Sequence, residues 1–377
     1  MRANTSSDER WMQLALALAR RAEGQTRPNP PVGAVVVRGG RKVGQGYHAR
    51  AGQPHAEVVA IRAAGAAARG ATLYVTLEPC CTWGRTPPCT DLILRTGIRR
   101  VVVAVPDPNP KHRGRGLRIL RTAGVAVTVG VCRGEAVLLL APFARWITGA
   151  RPYVTLKLGM TVDGRIADER GRSRWITGAP ARGSVRRLRR RCDAIMVGAG
   201  TALADDPALR TGSRARAQPY RVIVDSRGRL PLNAQVLNDT TVAHTIVATT
   251  RRCPEARRRR YAAQGATVWV LPESREGVSL PRLLRALHGR GCLHVLCEGG
   301  GVLAAALVRS RLVDEYLLFV APRILGGRAV PAIGGAGWPL AAAPALAFQE
   351  CSRLGQDLLI RAQPLHETKQ RRRKAGG

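Results

Sequence analysis

In the N-terminal part of the chain, segments with the hydrophobic spacing of a helix alternate with segments that have the spacing of a strand. Apolar residues at helical spacing predict a first helix around Trp11–Ala19, with Ser7 as its N-cap. The elements predicted next are the hairpin Ala34–Arg38 and Lys42–Tyr47 closed at Gly39-Gly40, a helix from His55 to about Ala68, strand Leu73–Leu77, a helix from Cys89 to Thr96, strand Val101–Val105, helix Gly116–Ala123 and strand Val125–Val129. This alternation predicts a three-layer α/β domain.

The pattern restarts after a connecting helix, Glu135–Thr148, and a boundary at Gly149–Pro152. Short apolar runs separated by helical stretches predict a second α/β domain with a mainly parallel sheet, ending near Ala362. Its predicted strands are Tyr153–Leu158, Ala194–Val197, Arg221–Val224, Thr245–Ala248, Thr267–Leu271, His294–Cys297 and Glu315–Val320. We therefore expect domains over residues 1–149 and 150–363, followed by a basic tail, 364–377, that is disordered.

Composition narrows the class of protein. The chain has 377 residues and is 45% hydrophobic, enough for two cores. No apolar run reaches the ~20 residues of a membrane helix, and acidic residues beside the first helix argue against a signal peptide. Nine cysteines without a secreted-scaffold pattern indicate reduced thiols. We expect a cytoplasmic protein with no membrane partner.

The formal charge of +36 invites a nucleic-acid interpretation. However, only five of the 61 basic residues are lysines, and alanine and glycine are abundant as well. This pattern indicates a general compositional bias. The sequence therefore predicts no specific nucleic-acid partner.

A candidate metal site lies in the first domain. His55-Ala56-Glu57 is followed by Pro79-Cys80 and, after eight intervening residues, by Cys89. Catalytic zinc sites use three protein ligands, whereas structural sites are closed by four. In zinc deaminases a metal-activated water attacks an amine-bearing ring carbon, and a glutamate that is not a ligand moves the protons. The alternatives are a closed structural zinc site or no metal.

The residues around this motif are more specific than the motif itself. They form five stretches: Thr26–Gly33, Gly46–His48, Thr76–Cys80, Gly84–Cys89 and Asp107–Pro110. Together they resemble the bacterial bifunctional riboflavin-biosynthesis deaminase-reductases. The eight-residue gap between the cysteines separates that family from cytidine and tRNA-adenosine deaminases, which keep two residues there.

The resemblance implies a cytidine-deaminase-like domain that deaminates a phosphorylated diaminopyrimidinone. It assigns zinc binding to His55, Cys80 and Cys89 and the proton shuttle to Glu57. It assigns substrate contacts to Asn29, His48 and Arg85. From the residues alone, Asn29 could equally be a turn residue and His48 a surface histidine at a strand end. The chain departs from the family where Cys81-Thr82 replaces the usual Ser-His.

In the second domain, Cys297–Gly301 follows a predicted strand and precedes a helix-like run, Val302–Arg309. Glycines there would let backbone N–H groups approach a phosphate at a helix N-terminus, although a tight turn is an equally common explanation. Three other stretches accompany it: Lys157–Gly164, Ser173–Thr177 and Gly200–Pro207.

These stretches resemble the reductase half of the same family, whose fold is similar to that of dihydrofolate reductase. The resemblance implies NADPH-dependent reduction of the ribosyl group to ribityl. It assigns the NADPH site to Gly159, Trp175, Thr201, Asp205, Ser226, Gly300 and Gly301. It assigns reductase substrate contacts to Lys157, Ser173, Arg189, Leu209 and Glu298, with Arg214 as a further candidate for the phosphate. Trp175 could instead be a core residue, Asp205 a helix cap and Arg189 one of several solvated arginines.

Two other functions stay open at this point. One is a deaminase of nucleosides or nucleic-acid bases, which the charge would suit but the cysteine spacing opposes. The other is a non-catalytic zinc-containing RNA-binding protein, although no aromatic clusters for base stacking accompany the arginines. We expect an enzyme for a small phosphorylated pyrimidine that uses Zn²⁺ and NADPH and forms a homo-oligomer.

Overall fold

The computed structural model describes residues 5–83, 87–211 and 218–365. The chain divides into two compact units, the first comprising Met1–Pro152 with Arg290–Leu293, the second Tyr153–Gly289 with His294–Gly377. Among the described residues, no helix has both the length and the apolar character needed to cross a membrane. The predicted tail beyond residue 365 lies outside the described residues.

The first unit is built on a five-stranded sheet. Its helices are α1 (Thr5–Arg20), α2 (Ala56–Ala64), α3 (Cys89–Arg95), α4 (Arg115–Thr122) and α5 (Arg133–Thr148). Its strands are β1 (Gly33–Arg38), β2 (Arg41–Tyr47), β3 (Thr72–Leu77), β4 (Arg100–Val105) and β5 (Ala126–Val129). The strand order is β2-β1-β3-β4-β5. β1 is antiparallel to β2 and β3, and β3, β4 and β5 are parallel.

Helix α1 packs on β1 and β3 through a fully buried apolar face that includes Met12, Ala15 and Leu16. The close approach of α1 to the sheet requires a glycine at the start of β1. A Cβ on Gly33 would lie 2.0 Å from the Ala15 carbonyl oxygen, so any larger residue would push the helix off the sheet.

One local prediction was wrong, and a second was right in extent but not in helix type. The first helix begins at Thr5, so Ser7 lies inside it and is not its N-cap. The helix predicted from His55 to Ala68 ends at Ala64 and continues as a 3₁₀ turn, Gly65–Ala68. Gly65 adopts a left-handed φ of 53°, which interrupts the α-helix.

A buried ion pair connects α1 to the sheet. The Asp8 carboxylate accepts hydrogen bonds from Arg100 Nη1 and Nη2 at 2.9 and 2.7 Å and from the Tyr74 hydroxyl at 2.8 Å. Burial would raise the pKa of Asp8, but the hydrogen bonds from Arg100 and Tyr74 outweigh burial and lower it.

Replacing Asp8 by asparagine is expected to destabilise the first unit by about 1–3 kcal/mol at pH 7. Because the folded state lowers the pKa of Asp8, the stabilisation is complete above the unfolded pKa of about 3.9 and disappears as the pH falls through the folded value. Urea unfolding of both proteins at pH 7 and near pH 3 measures this. A difference in stability that did not shrink at low pH would contradict the electrostatic explanation.

The second unit is built on a nine-stranded sheet of order β11-β10-β9-β8-β14-β6-β15-β18-β17. Its strands are β6 (Tyr153–Thr161), β7 (Arg165–Ala167), β8 (Ala194–Gly198), β9 (Tyr220–Val224), β10 (Thr245–Thr249), β11 (Thr267–Val270), β12 (Glu273–Ser274), β13 (Gly277–Val278), β14 (His294–Cys297), β15 (Glu315–Ala321), β16 (Val330–Pro331), β17 (Leu346–Leu354) and β18 (Asp357–Pro364). Its helices are α6 (Ala179–Arg189), α7 (Ala199–Asp205), α8 (Glu255–Ala263), α9 (Leu280–Gly289) and α10 (Gly301–Arg309).

Seven neighbouring strands of this sheet are parallel, as predicted, while β18 and β17 add an antiparallel hairpin at one edge. The sequence prediction missed this hairpin. Most side chains of β17 are exposed or half-buried, so the strand lacks the apolar run that marked the buried strands. Its pairing with β18 through backbone hydrogen bonds leaves little trace in the side-chain pattern.

Candidate active sites

Three potential metal ligands converge in the first unit. His55 directly precedes α2, Cys80 follows the end of β3, and Cys89 is the first residue of α3. One ligand atom from each residue lies within 4.8 Å of the other two. The His55 Nδ1 atom is 3.3 Å from Cys89 Sγ and 3.5 Å from Cys80 Sγ.

These distances fit a zinc ion. With Zn–S near 2.3 Å and Zn–N near 2.05 Å, a tetrahedral site places nitrogen and sulfur ligands about 3.6 Å apart. Hydrogen bonding with Cys89 and His55 outweighs burial and lowers the pKa of the Cys80 thiol, which favours the thiolate form that binds metal. The neighbouring Cys81 is not part of the cluster, since its Sγ atom lies 3.9 Å from Nδ1 of His112.

A cavity of about 140 Å³ adjoins the cluster and is lined by Asn29, His48, His55, Glu57 and Cys80, among others. Only 4% of Glu57 is exposed to solvent. Burial first, and then the negative charge of Cys80, raise the pKa of the Glu57 carboxyl group to about 7. Glu57 therefore faces the cavity beside the ligand cluster without belonging to it.

Asn29 and His48 are hydrogen-bonded to each other in this cavity. His48 Nδ1 lies 3.2 Å from the carbonyl oxygen of Pro54 and donates to it, so Nε2 accepts from the Asn29 amide at 3.0 Å. Burial lowers the pKa of His48 and favours the neutral ring that this arrangement needs. Arg85, the third predicted substrate contact, lies outside the described residues.

Glu78 is a residue of this site that sequence reasoning missed. Its buried carboxylate accepts four backbone N–H groups, from Asp107 and Gly114 at Oε2 and from Gly116 and Leu117 at Oε1, over 2.9–3.3 Å. It fixes the segment between β4 and α4 against the end of β3 and also lines the cavity. A charged residue directly after a buried strand was the signal that could have revealed it.

The second unit contains a cavity of about 710 Å³, here called the arginine-lined cavity. Five arginines line it: Arg174, Arg182, Arg186, Arg189 and Arg210. The predicted residues found in its wall are Lys157, Gly159, Ser173, Trp175, Arg189, Thr201, Asp205, Leu209, Glu298 and Gly300. The structure thus brings together residues that are far apart in the sequence.

An ion pair lies in this wall. Arg189 donates from Nε and Nη2 to the two carboxylate oxygens of Glu298, at 2.5 and 2.8 Å. The Lys157 side chain lies in the same wall, and burial lowers the pKa of its ammonium group. Trp175 is 61% exposed, and the Arg182 guanidinium lies 4.6 Å from its ring centroid. Trp175 is therefore not a core residue, which was the alternative interpretation.

A second cavity of about 720 Å³, here called the glycine-lined cavity, is bordered by the start of α10 at Gly300-Gly301 and by Ser226 after β9. A Cβ on Gly301 would lie 2.4 Å from the Pro331 carbonyl oxygen, and Gly300 has a φ of 40°. Glycine is therefore required at the N-terminus of α10, where backbone N–H groups can bind phosphate. The two cavities share Ile166, Ser173, Thr201, Asp205 and Gly300.

Sequence reasoning did not assign Arg174, Arg182, Arg186 or Arg210 to the first of these cavities or Arg229 to the second. With 61 lysines and arginines in the chain, no single arginine stands out in the sequence. Arg214, considered for the substrate phosphate, lies outside the described residues.

Comparisons with known proteins cover both units. Residues 5–105 match the cytidine and deoxycytidylate deaminase zinc-binding region, and residues 152–360 match the RibD C-terminal domain. The riboflavin biosynthesis protein RibD of Aquifex aeolicus is 46% identical over 320 residues, 85% of this chain and 88% of that protein. That of Bacillus amyloliquefaciens is 41% identical over 95% of this chain and 96% of that protein.

Solved structures agree with these matches. Acinetobacter baumannii RibD superposes with a TM-score of 0.84 at 37% identity, covering 96% of this chain and all of that one. A diaminohydroxyphosphoribosylaminopyrimidine deaminase/5-amino-6-(5-phosphoribosylamino)uracil reductase from Thermotoga maritima gives a TM-score of 0.84 at 35% identity, over 96% of this chain and 99% of that one. The predicted fold class is confirmed, and the chain belongs to the RibD family of riboflavin-biosynthesis proteins.

Proposed function

We propose that this chain catalyses two successive reactions on one small molecule, 2,5-diamino-6-(5-phosphoribosylamino)pyrimidin-4(3H)-one. The first is hydrolytic deamination of the pyrimidine ring, and the second is NADPH-dependent reduction of the ribosyl group to ribityl. As a RibD family member the chain is a bifunctional deaminase and reductase that uses zinc and NADPH. The observation that carries the proposal is the convergence of His55, Cys80 and Cys89 beside the buried Glu57.

In the deaminase half, His55, Cys80 and Cys89 would hold the zinc ion. When bound, zinc acts as a Lewis acid towards the water that attacks the ring. Glu57 would take the proton from that water and return it to the departing ammonia.

Asn29 and His48 would orient the pyrimidine in the same cavity, because their mutual hydrogen bond fixes both side chains. Arg85 would contact the substrate as a cation, a role that the resemblance implies.

In the reductase half, bound NADPH would supply a hydride to the sugar carbon bonded to nitrogen, while the bond from that carbon to the ring oxygen breaks and the oxygen takes a proton to become a hydroxyl group. Gly159, Trp175, Thr201, Asp205, Ser226, Gly300 and Gly301 would hold the cofactor. Lys157, Ser173, Arg189, Leu209 and Glu298 would hold the phosphorylated substrate. The wall shared by the two cavities supports a meeting of cofactor and substrate, which hydride transfer requires, and Gly159 and Trp175 line the arginine-lined side of that wall.

We further propose domain limits at residues 1–149 and 150–363, a cytoplasmic location and no nucleic-acid or membrane partner. None of the nine cysteines, all of which lie among the described residues, forms a disulfide, which supports a reducing compartment. We also propose that the chain forms a homo-oligomer.

Coupled turnover on one purified sample tests the proposal. We expect about one zinc per chain, ammonia release from the diaminopyrimidine phosphate without NADPH, and NADPH oxidation only after deamination. Ammonia assays and absorbance at the NADPH band measure the two steps. Deamination of a single-stranded oligonucleotide in place of the pyrimidine phosphate would contradict the proposal.

A further inference from the structure

An exposed tryptophan stands in the wall of the arginine-lined cavity. The whole segment Ser173–Thr177 lines this cavity, and Trp175 at its centre is 61% exposed. An aromatic side chain usually buries most of its surface and is held in place by the residues packed around it. A ring as exposed as that of Trp175 lacks most of this packing, so another interaction has to fix its orientation before it can contact a ligand.

The backbone on either side of Trp175 is already fixed. The Ser173 hydroxyl donates to Asp205 Oδ1 at 2.9 Å, and the Gly178 N–H donates to Asp357 Oδ2 at 2.7 Å. Asp357 is fully buried at the start of β18. Because the backbone is held at both ends, what remains to be defined for Trp175 is the rotation of its side chain about the χ angles.

The Arg182 guanidinium lies against the Trp175 ring. Its central carbon is 4.6 Å from the ring centroid, closer than that of Arg174 at 5.8 Å. From the first turn of α6, Arg182 Nη1 also donates to the carbonyl oxygen of Thr177 at 2.6 Å. A guanidinium within about 6 Å of an indole centroid is attracted to the electron-rich face of the ring. Arg182 thus joins the ring to the backbone of the segment that carries it.

We propose that Arg182 is a positioning residue for NADPH: it holds the Trp175 ring in the orientation that contacts the cofactor and does not itself bind the phosphorylated substrate. The proposal rests on the reductase function proposed above, in which Trp175 belongs to the NADPH site. The attraction between a guanidinium and an indole ring is strong enough to change an affinity about twofold to thirtyfold. Loss of Arg182 should weaken NADPH binding by such a factor, because the freed ring would have to be ordered again on binding.

A double-mutant cycle of NADPH binding, measured by isothermal titration calorimetry, tests whether Arg182 acts through Trp175. Arg182→Gln is expected to weaken NADPH binding about twofold to thirtyfold in the otherwise native chain. In the Trp175→Leu background the same substitution should have no further effect, because no aromatic ring remains to be held. Arg182→Lys should keep part of the affinity, since an ammonium group is also attracted to an aromatic face.

The matched control is Arg187→Gln, which removes an exposed arginine of α6 that does not line the cavity and should leave the NADPH affinity unchanged. In Arg182→Gln the affinity for the deaminated pyrimidine phosphate should stay at the wild-type value, which also shows that the cavity is folded. Equal losses of NADPH affinity with and without Trp175 would overturn the proposal, as would no loss at all or weaker binding of the pyrimidine phosphate. If the wild-type chain bound no NADPH, the reductase function itself would fail with it.

Discussion

Replacing Glu57 with glutamine is expected to lower ammonia release by about 10²- to 10⁴-fold, the usual contribution of general acid–base catalysis. Glutamine has nearly the same shape but cannot accept a proton from water or return one to the leaving ammonia. Zinc content should stay near that of the wild type, because Glu57 is not one of the three residues whose ligand atoms converge. Ammonia release and metal content, measured on the same sample, check both parts.

The second half of the chain provides an internal control for Glu57→Gln. NADPH oxidation with the already deaminated pyrimidine should proceed at the wild-type rate, which shows that the second unit is folded, while retained zinc shows that the first unit is folded as well. Glu135→Gln is a matched surface control, since Glu135 lies on α5 in the same unit and its side chain is 41% exposed. Full deaminase activity in Glu57→Gln would contradict the assignment of Glu57 as the proton shuttle.

The architecture was largely predictable because the central strands of both sheets are buried. Such strands are continuous apolar runs, for example Val101–Val105, and the helices between them keep a separate period. The hairpin of β17 and β18 escaped prediction because most of its side chains are half-buried or exposed and form no continuous buried apolar run. The fold class can therefore be predicted from the pattern of buried positions. A strand at an exposed edge cannot, because it is defined by its backbone hydrogen bonds.

The candidate metal site could be found in the sequence because each of its residues has distinctive chemistry. A histidine, two cysteines and a nearby glutamate are uncommon together, and the structure places their side chains around one small cavity. Glu78 carries only a weaker mark, a charge directly after a buried strand. Its role depends on four backbone N–H groups about thirty to forty residues away in sequence.

The second unit contains a buried ion pair whose disruption should have the largest effect on stability. Arg221 is 2% exposed, and Nη1 and Nη2 donate to the Asp239 carboxylate at 2.6 and 3.0 Å. The same guanidinium also donates to the carbonyl oxygens of Ala208 and Val236 and to the Thr245 hydroxyl. Burial would raise the pKa of Asp239, but hydrogen bonds from Arg221 and Thr241 hold it well below its usual range.

Asp239→Ala is expected to lower the free energy of unfolding of the second unit by about 3–5 kcal/mol, because it leaves the buried Arg221 charge without its partner. Urea unfolding at pH 7 measures the loss. The control is Glu255→Ala, which removes an exposed pair with Arg259 and should cost no more than about 1 kcal/mol. The double variant Arg221→Met/Asp239→Ala should be more stable than Asp239→Ala alone, since it removes the stranded charge as well. If the double variant were less stable than the single one, the cost would lie in lost packing and hydrogen bonds and not in an uncompensated charge.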